Sequence, residues 1–409
     1  MTWAVVGAGY TGIAVAGEML AAGLDVDVFD ARGETGGIWG DGVYPSVRLI
    51  TTREGSALSK VPMPAGDEFP TGIQMRDYLQ HAASRTGVAD RLRQRNVERV
   101  SKTSNGWLVD GEAYQGVVLA TGMFAEPKIP DFASTLTIRN LHTATYRGPD
   151  ELGDDVLIVG LGNSGADVAQ ECVKAGKNVT ISVRRPRHIV PKRIMGMPTV
   201  EMRRPTLVPD LVARIGMDIF VRVASQYWRH GSLGQPRHLL LAETPIVHSA
   251  LLPLISSGAI KIAPGIESTS GFTVTFTDGT QKRFDTVVWA TGYRPNLPID
   301  RALVDGIDQS YDSAPLNLVA GAWSPVSAGL AVAGFREPRH GRGAYLSALA
   351  QMISAGARAQ EFTTEPIGAF LSEFAPASSR VLVDDDAEIR ALGSAADAAL
   401  SLFSASVSS

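Results

Sequence analysis

Apolar and polar positions along the chain fall into a pattern that occurs twice. Residues 3–6, "WAVV", form a short apolar run, a glycine-rich turn follows, and apolar positions then recur at spacings of three and four. This predicts a strand at 3–6 and a helix at 11–22. The run "DVDVFD" predicts a second strand ending in Asp30. Residues 156–169, "VLIVGLGNSGADVA", spell the same order again: a strand at 156–159, a turn, and a helix at 164–175, followed by the strand "NVTISV". Two more apolar runs, "VVLATGMFAEPKIP" (117–130) and "VVWATGYRPNLP" (287–298), each run into Ala-Thr-Gly and then proline-rich chain, and each reads as the strand that closes one unit. Residues 206–245 read as a helical insertion whose apolar spacing is accounted for by packing. Residues 384–404 read as a helix with Ile389, Leu392, Ala396, Leu400 and Phe403 on one face, docking on the body or on a second copy, before a serine-rich end.

Each turn is a G-x-G-x-x-G. In the first, Gly7 permits the tight turn, Gly9 lets backbone approach a pyrophosphate, and Gly12 lets helix and strand pack closely. Asp30 stands about 20 residues beyond the middle glycine, where a carboxylate holds a ribose hydroxyl. The second turn has Gly160, Gly162 and Gly165, but its next strand ends at Arg184 and Arg185. Guanidinium groups bind a 2′-phosphate that a carboxylate would repel, so the second nucleotide is read as NADPH and the first as FAD. A solvated arginine cluster is the other reading of those two residues. Asn163 and Ser164 lie inside the second turn, where they reach a pyrophosphate or the flavin edge, or else cap the helix. Thr121 and Thr291, in the two Ala-Thr-Gly turns, read as backbone-positioning residues at the nucleotide crevices. The expected fold is α/β with two Rossmann-like dinucleotide-binding domains, the NADP domain inserted into the FAD domain. The expected boundaries are 1–147 with 285–365 for FAD, 148–284 for NADP, and a tail at 366–409.

Composition narrows the partners. A net charge of −4 over 409 residues argues against nucleic acid, which requires a concentrated basic surface. No apolar run reaches the roughly 18 residues of a membrane span. A cytoplasmic setting is expected, with small molecules as partners and a homodimer as a candidate assembly. One cysteine, Cys172, excludes an intrachain disulfide and a C-x-x-C redox pair. No metal-ligand spacing and no G-x-S-x-G elbow are present. Such a chain leaves the hard chemistry to its cofactors: a nicotinamide gives hydride and a flavin accepts it.

The sequence resembles the flavin-containing monooxygenases of the two-dinucleotide type from residue 3 to about 365. The resemblance is carried by the 7–12 turn, by Gly36-Gly37-Ile38-Trp39, by "YPSVRLITTREGSALSKVPMP", by "FP" and then "YL", and by "LATG", "GLGNSG" and "ATGYRPN". The family's stretch F-x-G-x-x-x-H-x-x-x-Y/F is represented by "LTIRNLHTATY", which keeps His142 and Tyr146 as domain-spacing linker residues but has Leu136 and Ile138 in place of Phe and Gly. The resemblance implies that Gly37, Ile38 and Trp39 border FAD. It also implies that NADPH reduces the flavin, that molecular oxygen adds to give a hydroperoxide, and that one oxygen atom passes to a small organic substrate: an amine, sulfide, carbonyl or aromatic nitrogen compound. Where many microbial members carry an asparagine beside the flavin, counting back from Pro62-Met63-Pro64 reaches Ile50, which has no hydrogen bond to give. Support for the oxygen adduct then falls to bound NADP, to Thr51 or to nothing, in which case peroxide leaks; Ile50, Thr51 and Asn163 are the candidate catalytic residues. Plant-type members that oxidatively decarboxylate 2-oxo acids also lack this asparagine, and their segment after GNSG resembles "RRPRHIVPKR". An NADPH oxidase or flavin reductase without substrate oxygenation is the competing expectation.

Overall fold

The computed structural model describes residues 2–202, 210–225, 233–240, 242–307, 315–378, 382–383 and 385–407. Along the chain the principal elements are β1 (Thr2–Val6), α1 (Tyr10–Ala21), β2 (Asp25–Asp30), α2 (Gly72–Arg85), β3 (Leu92–Gln94), β4 (Gly116–Leu119), β5 (Arg139–His142) and β6 (Asp155–Val159). They continue as α3 (Asn163–Lys174), β7 (Asn178–Ser182), α4 (Asp210–Ser225), β8 (Ile260–Ala263), β9 (Thr286–Trp289), β10 (Leu330–Val332), α5 (Arg342–Gln360) and α6 (Asp385–Val407). They form two compact units. The first is Met1–Gly40, Thr51–Glu126 and Arg294–Ser409; the second is Asp41–Ile50 and Pro127–Tyr293.

The first unit is built on a five-stranded parallel sheet in the order β10-β4-β1-β2-β3. β1 and β4 are buried almost throughout, as parallel strands covered on both faces must be, which explains their continuous apolar runs. Trp3 meets Trp323 edge to face at 6.2 Å in the core. α2 starts at a capping box: the Gln74 amide donates to Thr71 Oγ1 at 3.1 Å and the Thr71 amide to Gln74 Oε1 at 2.9 Å. The second unit repeats the plan in the order β8-β7-β6-β9-β5, again all parallel. In both sheets the fingerprint strand is central, flanked by the strand leading to the acid or the arginines on one side and the Ala-Thr-Gly strand on the other.

The α/β class with two parallel-sheet units agrees with expectation, but the boundaries differ. Residues 127–147 and 285–293 belong to the second unit, not the first, because β5 pairs with β9 and β9 with β6. His142 and Tyr146 are therefore part of that unit rather than linker residues. Tyr146 is fully buried in its core and donates to Glu171 Oε2 at 2.8 Å. Residues 41–50 also belong to the second unit, tied by Tyr44, whose hydroxyl donates to Asp167 Oδ2 at 2.7 Å. The C-terminal helix docks on the body, one of the two placements expected of it: α6 packs along α5, and the Arg358 guanidinium lies 4.0 Å above the Phe403 ring. Its buried residues are Leu392, Ala395 and Ala399, whereas Leu400 is exposed, so the apolar face is turned from the one the spacing predicts. Within the expected insertion, α4 is helical, while 203–209 and 226–232 lie outside the described residues. Among its described side chains α4 buries Asp218 and Val221, the latter in an apolar cluster with Val190, Leu240 and Val247, and exposes Val212, Ile219 and Val223, so packing accounts for only part of its apolar spacing. Burial pushes the Cys172 thiol up to about 11, which leaves it inert.

Candidate functional site

The first turn lies at the mouth of a cavity of about 1140 Å³ lined by residues of the first unit alone. Gly7 has φ +109°, and a Cβ there would lie 2.3 Å from the Ala120 carbonyl oxygen; one on Gly12 would lie 1.7 Å from the Gly7 carbonyl oxygen. Those two glycines are demanded by the protein itself. Gly9 is different: its φ of −79° suits any residue, and a Cβ would meet only Gly37 Cα, at 3.6 Å. That loop crosses the turn because Gly36 (φ +122°) and Gly37 (φ +58°) take backbone conformations that other residues resist, and the Gly36 amide donates to the Ala8 carbonyl at 2.9 Å. α1 begins at Gly9 with no side-chain cap. Its free amides and dipole thus suit a phosphate.

Asp30 lines the same cavity. Its Oδ2 accepts from the Ala8 amide at 2.9 Å and its Oδ1 from the Arg32 amide at 3.0 Å, an orientation that leaves further lone pairs for ribose hydroxyls. Gly7, Gly9, Asp30, Gly37, Ile38 and Thr121 all line the cavity; Gly12 supports the turn from behind, and Trp39 is half-buried outside the lining. Thr121 Oγ1 donates to the Asn296 carbonyl at 3.1 Å. The size of the cavity, the side-chain-free approach at Gly9 and the oriented carboxylate fit FAD. Sequence reading missed the wall supplied by Val97, Leu297 and Arg342. Arg342 stands in the first turn of α5, so a 19-residue helix brings its positive end to the cavity. Only the "HGRG" before that helix marks it in the sequence, and no spacing rule singles it out.

The second turn repeats the geometry. Gly160 has φ +106° and a Cβ there would lie 2.5 Å from the Ala290 carbonyl oxygen, while one on Gly165 would lie 2.4 Å from that of Gly160. Gly162 faces open space and is again an uncapped helix start, now of α3. Asn163 does not cap: its Oδ1 accepts from the Val247 amide at 2.8 Å, fastening the neighbouring loop. Ser164 hydrogen-bonds Tyr44, whose hydroxyl burial and then Asp167 push well above the usual phenol range. Thr291 Oγ1 donates to the Lys128 carbonyl. Arg184 and Arg185 are exposed beyond the end of β7, with Arg185 3.7 Å from Glu243. An uncapped helix start beside two exposed guanidinium groups fits a phosphorylated nucleotide.

Ile50 packs against the apolar cluster of Val190, Val221, Leu240 and Val247, and Asn163 Oδ1 accepts from the amide of the last of these. Thr51 belongs to the first unit and bonds Ser56 Oγ at 2.7 Å. Thr51 follows Ile50 directly in the chain, and Asn163 approaches the cluster through the Val247 amide. His142 is held neutral: burial lowers its pKa, Nδ1 accepts from the Ala144 amide at 3.1 Å, and Nε2 donates to the Gly292 carbonyl at 3.0 Å. Among the described residues no cluster of His, Cys, Asp and Glu could hold a metal, and no helix is long and apolar enough to cross a membrane.

Known proteins match this arrangement. The chain is 30% identical over 355 residues to the probable indole-3-pyruvate monooxygenase YUCCA9 of Arabidopsis thaliana, covering 81% of this chain and 83% of that one. It is 29% identical over 314 residues to the indole-3-pyruvate monooxygenase YUCCA1 of Oryza sativa subsp. japonica, covering 72% and 77%. In fold it is similar to the open crystal structure of cyclohexanone monooxygenase, with TM-score 0.72 and 18% identity over 100% of this chain and 98% of that one. It is also similar to a flavin-containing monooxygenase from Stenotrophomonas maltophilia, with TM-score 0.62 and 22% identity over 87% and 98%. The model of the flavin-binding monooxygenase-like family matches residues 2–311, and the chain belongs to that family of oxidoreductases, whose cofactors are FAD and NADPH.

Proposed function

We propose that this protein is an NADPH-dependent FAD monooxygenase that oxygenates 2-oxo acids with apolar side chains. The observation that carries the oxygenase reading is the pair of G-x-G-x-x-G turns with matching glycine contacts and opposite strand ends, Asp30 in one and Arg184-Arg185 in the other. A chain with a site for an unphosphorylated ribose and another for a phosphorylated one is equipped to pass electrons between two nucleotides. The narrowing to 2-oxo acids is supported by the indole-3-pyruvate monooxygenases among its relatives and by isoleucine at position 50.

When bound, NADPH and FAD would supply two electrons to the reaction, and molecular oxygen is the co-substrate, one atom of which enters the substrate while the other leaves as water. For a 2-oxo acid the balance is substrate, NADPH, a proton and O2 giving the shortened carboxylic acid, CO2, NADP+ and water. Gly9, Asp30 and Arg342 hold and orient the flavin nucleotide, and Gly162 with Arg184 and Arg185 hold the nicotinamide nucleotide. Ile50, in its apolar cluster, excludes water rather than donating a hydrogen bond.

A reductase or oxidase that releases peroxide is the second reading, favoured by that same missing amide. The purified yellow protein is incubated with NADPH in air, with and without indole-3-pyruvate or phenylpyruvate. CO2 and the shortened acid should form in proportion to NADPH consumed, with little peroxide. Peroxide equal to NADPH consumed under every condition would overturn the oxygenase reading.

A further inference from the structure

The loop that joins β10 to α5 lines the cavity of the first unit at both its ends, with Gly334 at one and Arg342 at the other. Neither end has slack. Gly334 has φ +90°, and a Cβ there would lie 2.7 Å from Oγ1 of Thr11, another lining residue; Gly341 has φ +133°, and a Cβ there would lie 2.6 Å from the Gly55 carbonyl oxygen. Between these ends the loop is gripped by chain that comes much later in sequence but belongs to the same unit. Residues 337–338 pair in parallel with 382–383, Glu337 opposite Leu382 and Pro338 opposite Val383. Arg336, only 7% exposed, donates to the carbonyls of Ser378 at 3.2 Å and Leu318 at 3.5 Å, and to the Glu388 carboxylate early in α6. Glu388 is the acid that pairs with it among the described residues. A buried guanidinium stripped of its acid is strongly unfavourable, so the pair fastens α6 to the loop.

We infer that the C-terminal segment holds the Gly334–Arg342 loop in the shape that binds FAD, and that Arg336 and Glu388 are positioning residues for the flavin. The inference rests on the placement of FAD in this cavity and goes beyond it: neither side chain lines the cavity, and each acts only through the loop. Coupling of this kind is reciprocal. If docking of α6 tightens FAD binding, FAD tightens the docking of α6 by the same factor. A pair with a purely structural role would instead lower the melting temperature and leave the flavin affinity of the folded protein unchanged.

The dissociation constant for FAD is read by diluting the yellow full-length protein well below its melting temperature and following the fluorescence of released flavin. Glu388→Ala should weaken FAD about tenfold, the scale of an ordinary coupling between sites, and Glu388→Gln, which keeps an acceptor for the guanidinium, should lose less. Leu79→Ala, at a buried position of α2 that does not line the cavity, should melt lower and keep the parent's affinity. Hydrogen exchange supplies the reciprocal arm without any variant: amides of 385–407 should exchange about tenfold more slowly with FAD bound than with it removed, and Glu388→Ala should erase that difference. Parent affinity in Glu388→Ala, an equal loss in Leu79→Ala, or exchange in α6 that ignores FAD would each overturn the inference. Full flavin content in Gly9→Ala would overturn the placement of FAD and the inference with it, whereas flavin lost in Gly9→Ala but held at parent affinity in Glu388→Ala would leave the placement and sink the grip alone.

Discussion

The two turns are nearly the same object built twice, and they differ at the middle glycine. The first and third glycines face protein backbone in both units: Cβ atoms at Gly7 and Gly160 would come 2.3 and 2.5 Å from a carbonyl oxygen, and at Gly12 and Gly165 1.7 and 2.4 Å. The middle ones face no such barrier. Gly9 has the Gly36-Gly37 loop in ordinary contact across it, and Gly162 has nothing within 4 Å. Two of the three glycines therefore serve the fold, and the third serves whatever occupies the turn. The comparison also separates the units by what surrounds the turn: a closed loop and an oriented carboxylate in one, exposed guanidinium groups in the other.

Adding a methyl group at the outer glycines should break the comparison most severely. Gly12→Ala forces the strand and helix of the first unit apart, and Gly165→Ala does the same more mildly in the second. Overpacking of this kind costs about 1 to 3 kcal/mol and sometimes more, so Gly12→Ala is expected at or beyond the upper end. Thermal unfolding and soluble yield measure it; a Gly12→Ala protein melting with the parent would show that the turn yields.

At the middle glycines the same substitution should leave folding within about 0.5 kcal/mol of the parent, because neither position is strained or crowded. The loss is in binding. Gly9→Ala should purify colourless, since the methyl group occupies the approach to the pyrophosphate, while Gly162→Ala should stay yellow and show a raised Michaelis constant for NADPH. Flavin absorbance per chain separates the two, and full flavin content in Gly9→Ala would remove FAD from the first turn.

Arg184→Ala combined with Arg185→Ala sharpens the comparison at the strand ends. Charge-assisted bonds to a 2′-phosphate contribute on the order of 1.5 to 3 kcal/mol, so the preference for NADPH over NADH should fall about tenfold or more. Arg185 is mostly exposed and only 3.7 Å from Glu243, so its own ion pair adds little to stability. An unchanged ratio of the two Michaelis constants would leave both arginines as a solvated face.

Both turns were legible in the sequence because glycine spacing, apolar runs and the strand-end residues are local features. The boundaries were not, because a parallel strand's neighbour is set by long-range pairing: nothing in "RNLH" announces that β5 flanks β9, which lies some 150 residues on. Arg342 was missed for the same reason: it is an ordinary basic residue in sequence and acquires meaning only through the helix start it stands on. α4 misled by its composition, since several of its apolar side chains are exposed and a buried position beside Val221 is taken by Asp218, paired with Arg222 at 2.6 Å.

The smallest expected effect separates the units by pH. The histidines whose pKa is resolved as lowered, His142 and His188, both belong to the second unit, and burial is the first cause for each. A histidine held neutral in the fold binds fewer protons than in the unfolded chain, so its contribution is present above the unfolded value near 6.5 and is lost as pH falls through the lower folded value. For His142 the structural cause is visible: protonating Nδ1 would set an N–H against the Ala144 amide, which now donates to that nitrogen. The melting temperature should therefore decline as pH is lowered from 7.5 toward 5.5. His142→Gln, which keeps a donor for the Gly292 carbonyl but cannot take up a proton, should melt lower at pH 7.5 and lose part of that decline. Proteolysis at pH 5.5 should cut first within 127–293, where both histidines lie, and leave the flavin bound. First cuts within 1–40 or 51–126, or a variant with the parent's full pH slope, would show that these two rings are not what makes the second unit acid-sensitive.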